Sequence, residues 1–145
     1  MQDSPIGRRP PGATRGSQPR IVLAATEAAQ GLMIRRALEI DGCGVIVCTS
    51  GREAVLSMIE ARPDLLLINA PLSDGSAAAL LRWTRSREPT AHVPCIVIVP
   101  KGEAHVVANL YDAGADLVIT RPTELDLLSR RVAALLSGRS VALIS

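Results

Sequence analysis

Short, unbroken apolar runs recur along the chain at 21–25, 45–48, 65–68, 95–99 and 117–119. Each is β-branched or Leu-rich and lacks alternation, the pattern of strands covered on both faces in a parallel sheet. Between them lie amphipathic stretches at about 27–40, 52–61, 76–86, 103–113 and 123–136. The last is the clearest, because Leu125, Leu128, Val132 and Leu135 recur at three- and four-residue spacing while Asp126, Arg130 and Arg131 occupy other faces. Five strand–helix units in series predict an α/β fold, a five-stranded parallel sheet with helices on both faces. Right-handed crossovers make the doubly wound, flavodoxin-like strand order 2-1-3-4-5 the leading topology. In such a sheet, function is expected at the C-terminal ends of the strands.

The pattern divides the chain in three. Residues 1–19 carry Pro5, Pro10, Pro11 and Pro19 among Gly, Ser, Gln and Arg, with almost nothing to bury, and predict a disordered basic arm. Residues 20–137 form the folded domain. Residues 138–145 form a tail whose Val141, Ala142, Leu143 and Ile144 suit either an extra edge strand or a segment that docks on a partner.

Composition narrows the function. With one Trp, one Tyr and no Phe in 145 residues, the core must be built from Ala, Val, Leu and Ile, and aromatic platforms for single-stranded nucleic acid are excluded. Arg8, Arg9, Arg15 and Arg20 against Asp3 concentrate the positive charge in residues 1–20, and residues 21–145 are close to neutral. Affinity for nucleic acid is therefore expected to be weak and confined to the arm. No apolar run approaches the ~18 residues of a membrane span, and Arg8-Arg9 leads into Pro10-Pro11-Gly12-Ala13 rather than the hydrophobic stretch of an export signal. A cytoplasmic protein is expected. Cys43, Cys48 and Cys95 show no C-x-x-C spacing and read as buried, reduced thiols. His92, Cys95 and His105 lack a fourth ligand, so no zinc site is expected. There is no phosphate-cradling Gly-rich loop after a strand and no nucleophile–base arrangement at the strand ends, so neither nucleotide binding nor enzymatic activity is expected.

Several segments carry a resemblance. Pro63-Asp64-Leu65-Leu66-Leu67-Ile68 enters the third strand and Gly51-Arg52-Glu53-Ala54 opens the second helix. Ala113-Gly114-Ala115-Asp116 precedes the fifth strand, which Arg121-Pro122 follows. In this order and spacing, residues 20–137 resemble the response-regulator receiver domain, the CheY-like phosphoacceptor module of two-component signalling. The resemblance implies an acceptor aspartate ending the third strand, an acidic pair after the first that holds Mg²⁺, a hydroxyl after the fourth, a lysine after the fifth, and an aromatic switch on the fifth. Each position is altered here. The acceptor falls on Asn69, the acidic pair on Ala25 and Thr26 with Glu27 adjacent, the hydroxyl on Val99, the aromatic on Val118 and the lysine on Arg121. The loop from Asn69 to Gly75 is also shorter than the family's, with Pro71 arriving early. Loss of every part together implies a pseudo-receiver that holds neither metal nor cofactor.

The remaining residues have open readings. Asn69 either satisfies loop amides or contacts a ligand; Glu27 and Arg121 either pair across the old pocket or stay solvated. Ser73 or Asp74 reads as the cap of the third helix. Val107 and Tyr111 at i, i+4 are expected to point outward on the helix 4–strand 5–helix 5 face, with Arg130 and Arg131 at its rim, a surface for a protein partner or a homodimer. Trp83 reads as half-buried packing. The expected function is that of a phosphorylation-independent signalling adaptor or regulator. The alternatives are the receiver part of a transcription regulator and a sensor with a small molecule at the strand ends.

Overall fold

A computed structural model describes residues 18–138. The elements run β1 Arg20–Ala25, α1 Ala28–Ile40, β2 Gly44–Cys48, α2 Gly51–Ala61, β3 Leu65–Asn69, α3 Ala77–Arg85, β4 Cys95–Val99, α4 Ala104–Ala113, β5 Leu117–Thr120 and α5 Leu125–Leu136. All four pairings are parallel and the sheet order is β2-β1-β3-β4-β5, the expected doubly wound topology. Residues 1–17 of the arm and 139–145 of the tail lie outside the described part, so the expectations for both stand apart from this description.

Strand pleating divides the core in two. Ile21, Leu23, Leu65, Leu67, Ile96 and Ile98 pack with Ile34 and Leu38 of α1 and Leu128 and Val132 of α5. Val22, Leu66, Ile68, Cys95 and Val97 face Met58 of α2, Leu81 of α3 and Leu110 of α4. Coverage on both faces holds for the inner strands β1, β3 and β4. The outer strands β2 and β5 are largely half-buried, because each has a neighbour on one side only. Cys43, Cys48 and Cys95 are free and buried, and burial pushes the Cys95 thiol up to about 12.

Two local devices align the ends of the sheet. Ser50 Oγ accepts from Glu53 N at 3.1 Å to cap α2, and Glu53 Oε1 accepts in return from Thr49 N at 2.8 Å. Arg85, at the end of α3, donates to the carbonyl oxygens of Ala91, Val93 and Gly114 and to Asp116 Oδ2, which also accepts from Cys95 N. One guanidinium thereby joins the α3–β4 connection to the α4–β5 turn and fixes the entries of β4 and β5.

Candidate functional site at the strand ends

Parallel register brings the ends of β1, β3, β4 and β5 level. Ala25 is opposite Asn69, Asn69 is opposite Ile98, and Val99 is opposite Thr120. Asn69 therefore stands at the end of the central strand, where the receiver resemblance assigns the acceptor, and it is 5% exposed. A buried amide needs partners for its oxygen and its nitrogen. Both are present: Asn69 Oδ1 accepts from Arg121 Nη1 at 2.6 Å, and Asn69 Nδ2 donates to Gln30 Oε1 at 2.7 Å. Arg121 also donates through Nη2 to the Ala70 carbonyl oxygen at 2.6 Å. The guanidinium thus reaches from the end of β5 to that of β3, across β4.

Glu27 takes no part. Of the two open readings, the Glu27–Arg121 pair does not form: Glu27 is exposed at the N-cap of α1, while Arg121 satisfies its fork on Asn69 and Ala70. Two acceptors on adjacent residues of a buried strand end match the planar fork better than one solvated carboxylate, whose desolvation would offset the gain. Gln30 and the Ala70 carbonyl were not legible as site groups. Gln30 is a polar residue in the first turn of an amphipathic helix, and a backbone acceptor has no sequence signal.

The short loop after β3 is fastened on two sides. Ser73 N donates to Thr26 Oγ1 at 3.0 Å, tying it to the β1–α1 connection. Asp74 accepts from Gly51 N at 2.8 Å through Oδ1 and from Arg52 N at 3.0 Å through Oδ2, so it serves the first turn of α2 rather than α3. This corrects the expected cap: α3 is capped by Ser76, whose Oγ accepts from Ala79 N at 3.0 Å. The two backbone N–H groups hold the Asp74 carboxyl below its ordinary value.

Val99 at the end of β4 is buried and brings no hydroxyl, and Val118 on β5 is half-buried. Beside them a cleft of about 550 Å³ opens between the β3–α3 and β4–α4 connections, walled by Pro71, Ala77, Val99, Val106 and Leu110 with Lys101 at its rim. The donor set does not fit Mg²⁺, which requires near-octahedral oxygen ligation with carboxylates. Thr26 Oγ1 is engaged by Ser73, Asn69 Oδ1 is engaged by a cation, and Glu27 is the one carboxylate among these groups.

On the α4–β5–α5 face, Tyr111 is 43% exposed and its hydroxyl oxygen accepts from Val118 N at 3.0 Å. Arg130 is exposed and Arg131 half-buried. Val107 is half-buried rather than fully outward, as is Val106, because both flank the buried stripe of Leu110 and Ala113. Trp83 is half-buried, as expected, with Arg87 5.3 Å from its ring centroid. Among the described residues no helix is long and apolar enough to cross a membrane.

The family model described as the response regulator receiver domain matches residues 21–133. The phosphate regulon transcriptional regulatory protein PhoB of Rhizobium meliloti is 31% identical over 118 residues, 81% of this chain and 52% of that protein. The transcriptional regulatory protein TrcR of Mycobacterium tuberculosis is 29% identical over 125 residues, 86% of this chain and 48% of that protein. The chain thus spans about half the length of these curated relatives. The signal receiver domain of a histidine kinase from Syntrophus aciditrophicus superposes with a TM-score of 0.77 at 28% identity, over 83% of this chain and 91% of that one. The chemotaxis regulator CheY4 of Vibrio cholerae superposes with a TM-score of 0.77 over 81% of this chain and 98% of that one; at 14% identity it speaks for the fold alone.

Proposed function

The chain belongs to the response regulator receiver domain family, and from that premise we propose that it is a phosphorylation-independent receiver, a non-enzymatic signalling adaptor or regulator that acts by binding protein. The observation that carries this reading is the contact of Arg121 with Asn69 and Ala70. Phosphoacceptor chemistry needs a carboxylate nucleophile, a metal that neutralises the incoming phosphoryl group, and a cation free to follow it. Here an amide occupies the strand end, the neighbouring oxygens do not suit the metal, and the cation is bonded to the amide itself. Without a covalent switch, output follows abundance and partner affinity.

The partner surface we assign to the α4–β5–α5 face, where Tyr111 is exposed and Arg130 and Arg131 supply charge; a homodimer through the same face is an alternative use of it. The ligand-sensing alternative loses its two expected contacts, since the Asn69 amide and the Arg121 guanidinium are spent on each other and on Gln30. The reading as the receiver half of a longer transcription regulator keeps one specific support, that matched relatives described as transcriptional regulators are about twice as long.

Incubation with acetyl phosphate and Mg²⁺, read by intact mass, tests the reading. No mass gain of a phosphoryl group is expected, and a magnesium-dependent gain localised to residues 69–75 would overturn it. Pull-down from native lysate, with Tyr111→Ala as control, identifies the partner; a helix-turn-helix output module encoded in the same reading frame would favour the regulator alternative.

A further inference from the structure

The sheet ends on both sides in a strand with one free edge, β2 and β5. On β5 that edge has a cover, because the Tyr111 hydroxyl oxygen accepts from Val118 N. On β2 the described residues supply none. Gly44 N donates to the Pro19 carbonyl oxygen at 2.8 Å, on the β1 side, and successive residues of a strand turn their backbone groups to alternate sides. The N–H and C=O groups of Gly44, Ile46 and Cys48 therefore serve β1. Those of Val45 and Val47 point away from it and have no partner among the described residues.

Edge strands in folded proteins commonly carry a charge, a proline or a bulge that stops another chain from pairing with them. β2 reads Gly-Val-Ile-Val-Cys, with neither charge nor proline, and its register with β1 runs unbroken from Gly44 to Cys48. Ile46 at its middle is 37% exposed. The flanks do not repel a neighbour either. Gly31 lies against Val47, where a Cβ would stand 3.4 Å from Cγ1, so Arg35 and Glu39, which follow at four-residue spacing, border this edge of α1. Their charges are already paired at 2.9 Å. On the other face Ser57 of α2 accepts from the Cys48 thiol at 3.3 Å, a small neutral side chain beside the strand.

The partner that fits this edge without remainder is the same strand in a second copy. A twofold axis at Ile46 sets Val45 of each chain opposite Val47 of the other. In an antiparallel ladder each such pair exchanges two N–H to C=O bonds, so every outward donor meets an outward acceptor. Ile46 then faces its own copy as a non-hydrogen-bonded pair, with Cα atoms about 4.5 Å apart and the two side chains in contact.

We propose that a second copy of this chain pairs antiparallel with β2 about an axis at Ile46, joining the two five-stranded sheets into one continuous sheet. This surface is separate from the α4–β5–α5 face, and its use is independent of the chemistry at the strand ends.

Light scattering of the full chain between roughly 1 and 100 μM, the range in which an interface of modest size associates, reads the proposal. A mass of two chains is expected at the upper end. Ile46→Lys sets two ammonium groups against each other at the axis and should raise the dissociation constant by roughly a hundredfold, with the circular dichroism spectrum kept. Tyr111→Ala should leave the dimer as it is. A wild-type mass of one chain throughout overturns the proposal, as does a dimer that survives Ile46→Lys or is lost only in Tyr111→Ala. Should Ile46→Lys fail to fold, Ile46→Cys decides the matter. Mild oxidation should join two chains through position 46, since facing residues of such a pair lie within the span of about 4.4–6.8 Å that a disulfide bridges. Leu56→Cys, exposed on α2, should stay unlinked under the same conditions. No bond through position 46, or equal linkage in both variants, overturns the proposal.

Discussion

Arg121 Nη1 stands 2.6 Å from Asn69 Oδ1, bridging the ends of β5 and β3 across the intervening β4. The second arm of the fork reaches the Ala70 carbonyl oxygen at 2.6 Å, so both partners are neutral acceptors on consecutive residues. A guanidinium so engaged holds the loop after β3 to the loop after β5. Gln30 completes the arrangement from α1 by accepting from the other end of the Asn69 amide. The contact favours a single arrangement of the strand ends.

Removing the fork should therefore cost stability. Arg121→Ala leaves the buried Asn69 oxygen unpaired and is expected to destabilise by about 2 kcal/mol, seen as a melting temperature lower by roughly 5–10 °C. Arg121→Lys should recover less than half of the loss, since an ammonium cannot serve both acceptors in one plane. Glu27→Gln should stay within about 0.5 kcal/mol of wild type. Equal losses for Glu27→Gln and Arg121→Ala would restore the ion pair that the geometry excludes.

Asn69→Asp separates the acceptor from its surroundings. The introduced carboxylate meets Arg121 as a charge-assisted pair, and the Gln30 amide can rotate to donate to it. Stability at neutral pH should be kept or raised. Labelling by acetyl phosphate with Mg²⁺ should nonetheless be absent in intact mass, because the neighbouring donor set does not suit Mg²⁺ and the cation now neutralises the nucleophile. Stoichiometric phosphorylation of this variant would show that Asn69 alone separates the chain from an active receiver.

The fold was legible because its signals are periodic: unbroken runs such as 65–68 mark inner strands, and the Leu125–Leu135 spacing marks α5. Asn69 and Arg121 were legible through the resemblance to the receiver domain, which assigns an acceptor to the end of the third strand and a lysine after the fifth. Their contact was not, because pairing between residues 52 apart depends on side-chain direction and on which acceptor is buried. Asp74 shows the same limit. Its neighbours Gly75 and Ser76 suggest a local cap, yet its carboxylate serves α2, more than twenty residues earlier in the chain. Sequence spacing favours local partners, and loop folding decides otherwise.

Arg85 is expected to be the most sensitive surface-reaching cation. Its guanidinium serves the carbonyls of Ala91, Val93 and Gly114 as well as Asp116, with 25% of the side chain exposed. Arg85→Lys keeps the charge and loses the fork, and should cost about 2–3 kcal/mol. Gly114→Ala attacks the same point, since a Cβ there would lie 2.6 Å from Arg85 Cγ at a φ of +124°; its cost should exceed about 1 kcal/mol. The two changes share partners, so urea unfolding of the double variant should show less than the sum. A fully additive double variant would mean that the two residues act separately.

Acid should release the loop after β3 before it unfolds the sheet. Backbone donors lower the Asp74 carboxyl from its ordinary 3.8. A depressed carboxyl contributes stability in full above its unfolded value, and loses it as pH falls through the lowered one. The Gly51 and Arg52 amide resonances should therefore titrate together with a midpoint below 3.8. Asp74→Ala should abolish that titration and speed exchange of both amides. A midpoint at or above 3.8 in the wild type would remove the bracket from the account.

Tyr111 has two roles that a conservative substitution can separate. Its hydroxyl oxygen accepts from Val118 N on the outer strand β5, covering a donor that an edge strand otherwise presents to solvent or to another chain. Its ring, meanwhile, is part of the exposed α4 surface. Tyr111→Phe removes only the acceptor, so hydrogen exchange at Val118 should quicken between roughly two- and tenfold, the effect of a net ~0.5–1.5 kcal/mol hydrogen bond. Partner capture should survive in Tyr111→Phe and fall in Tyr111→Ala, because an interface anchor acts through its buried ring. Light scattering on both variants reads self-association by the same comparison. If capture and mass are the same for wild type, Phe and Ala, the residue is an edge cover alone and the partner face must be sought elsewhere.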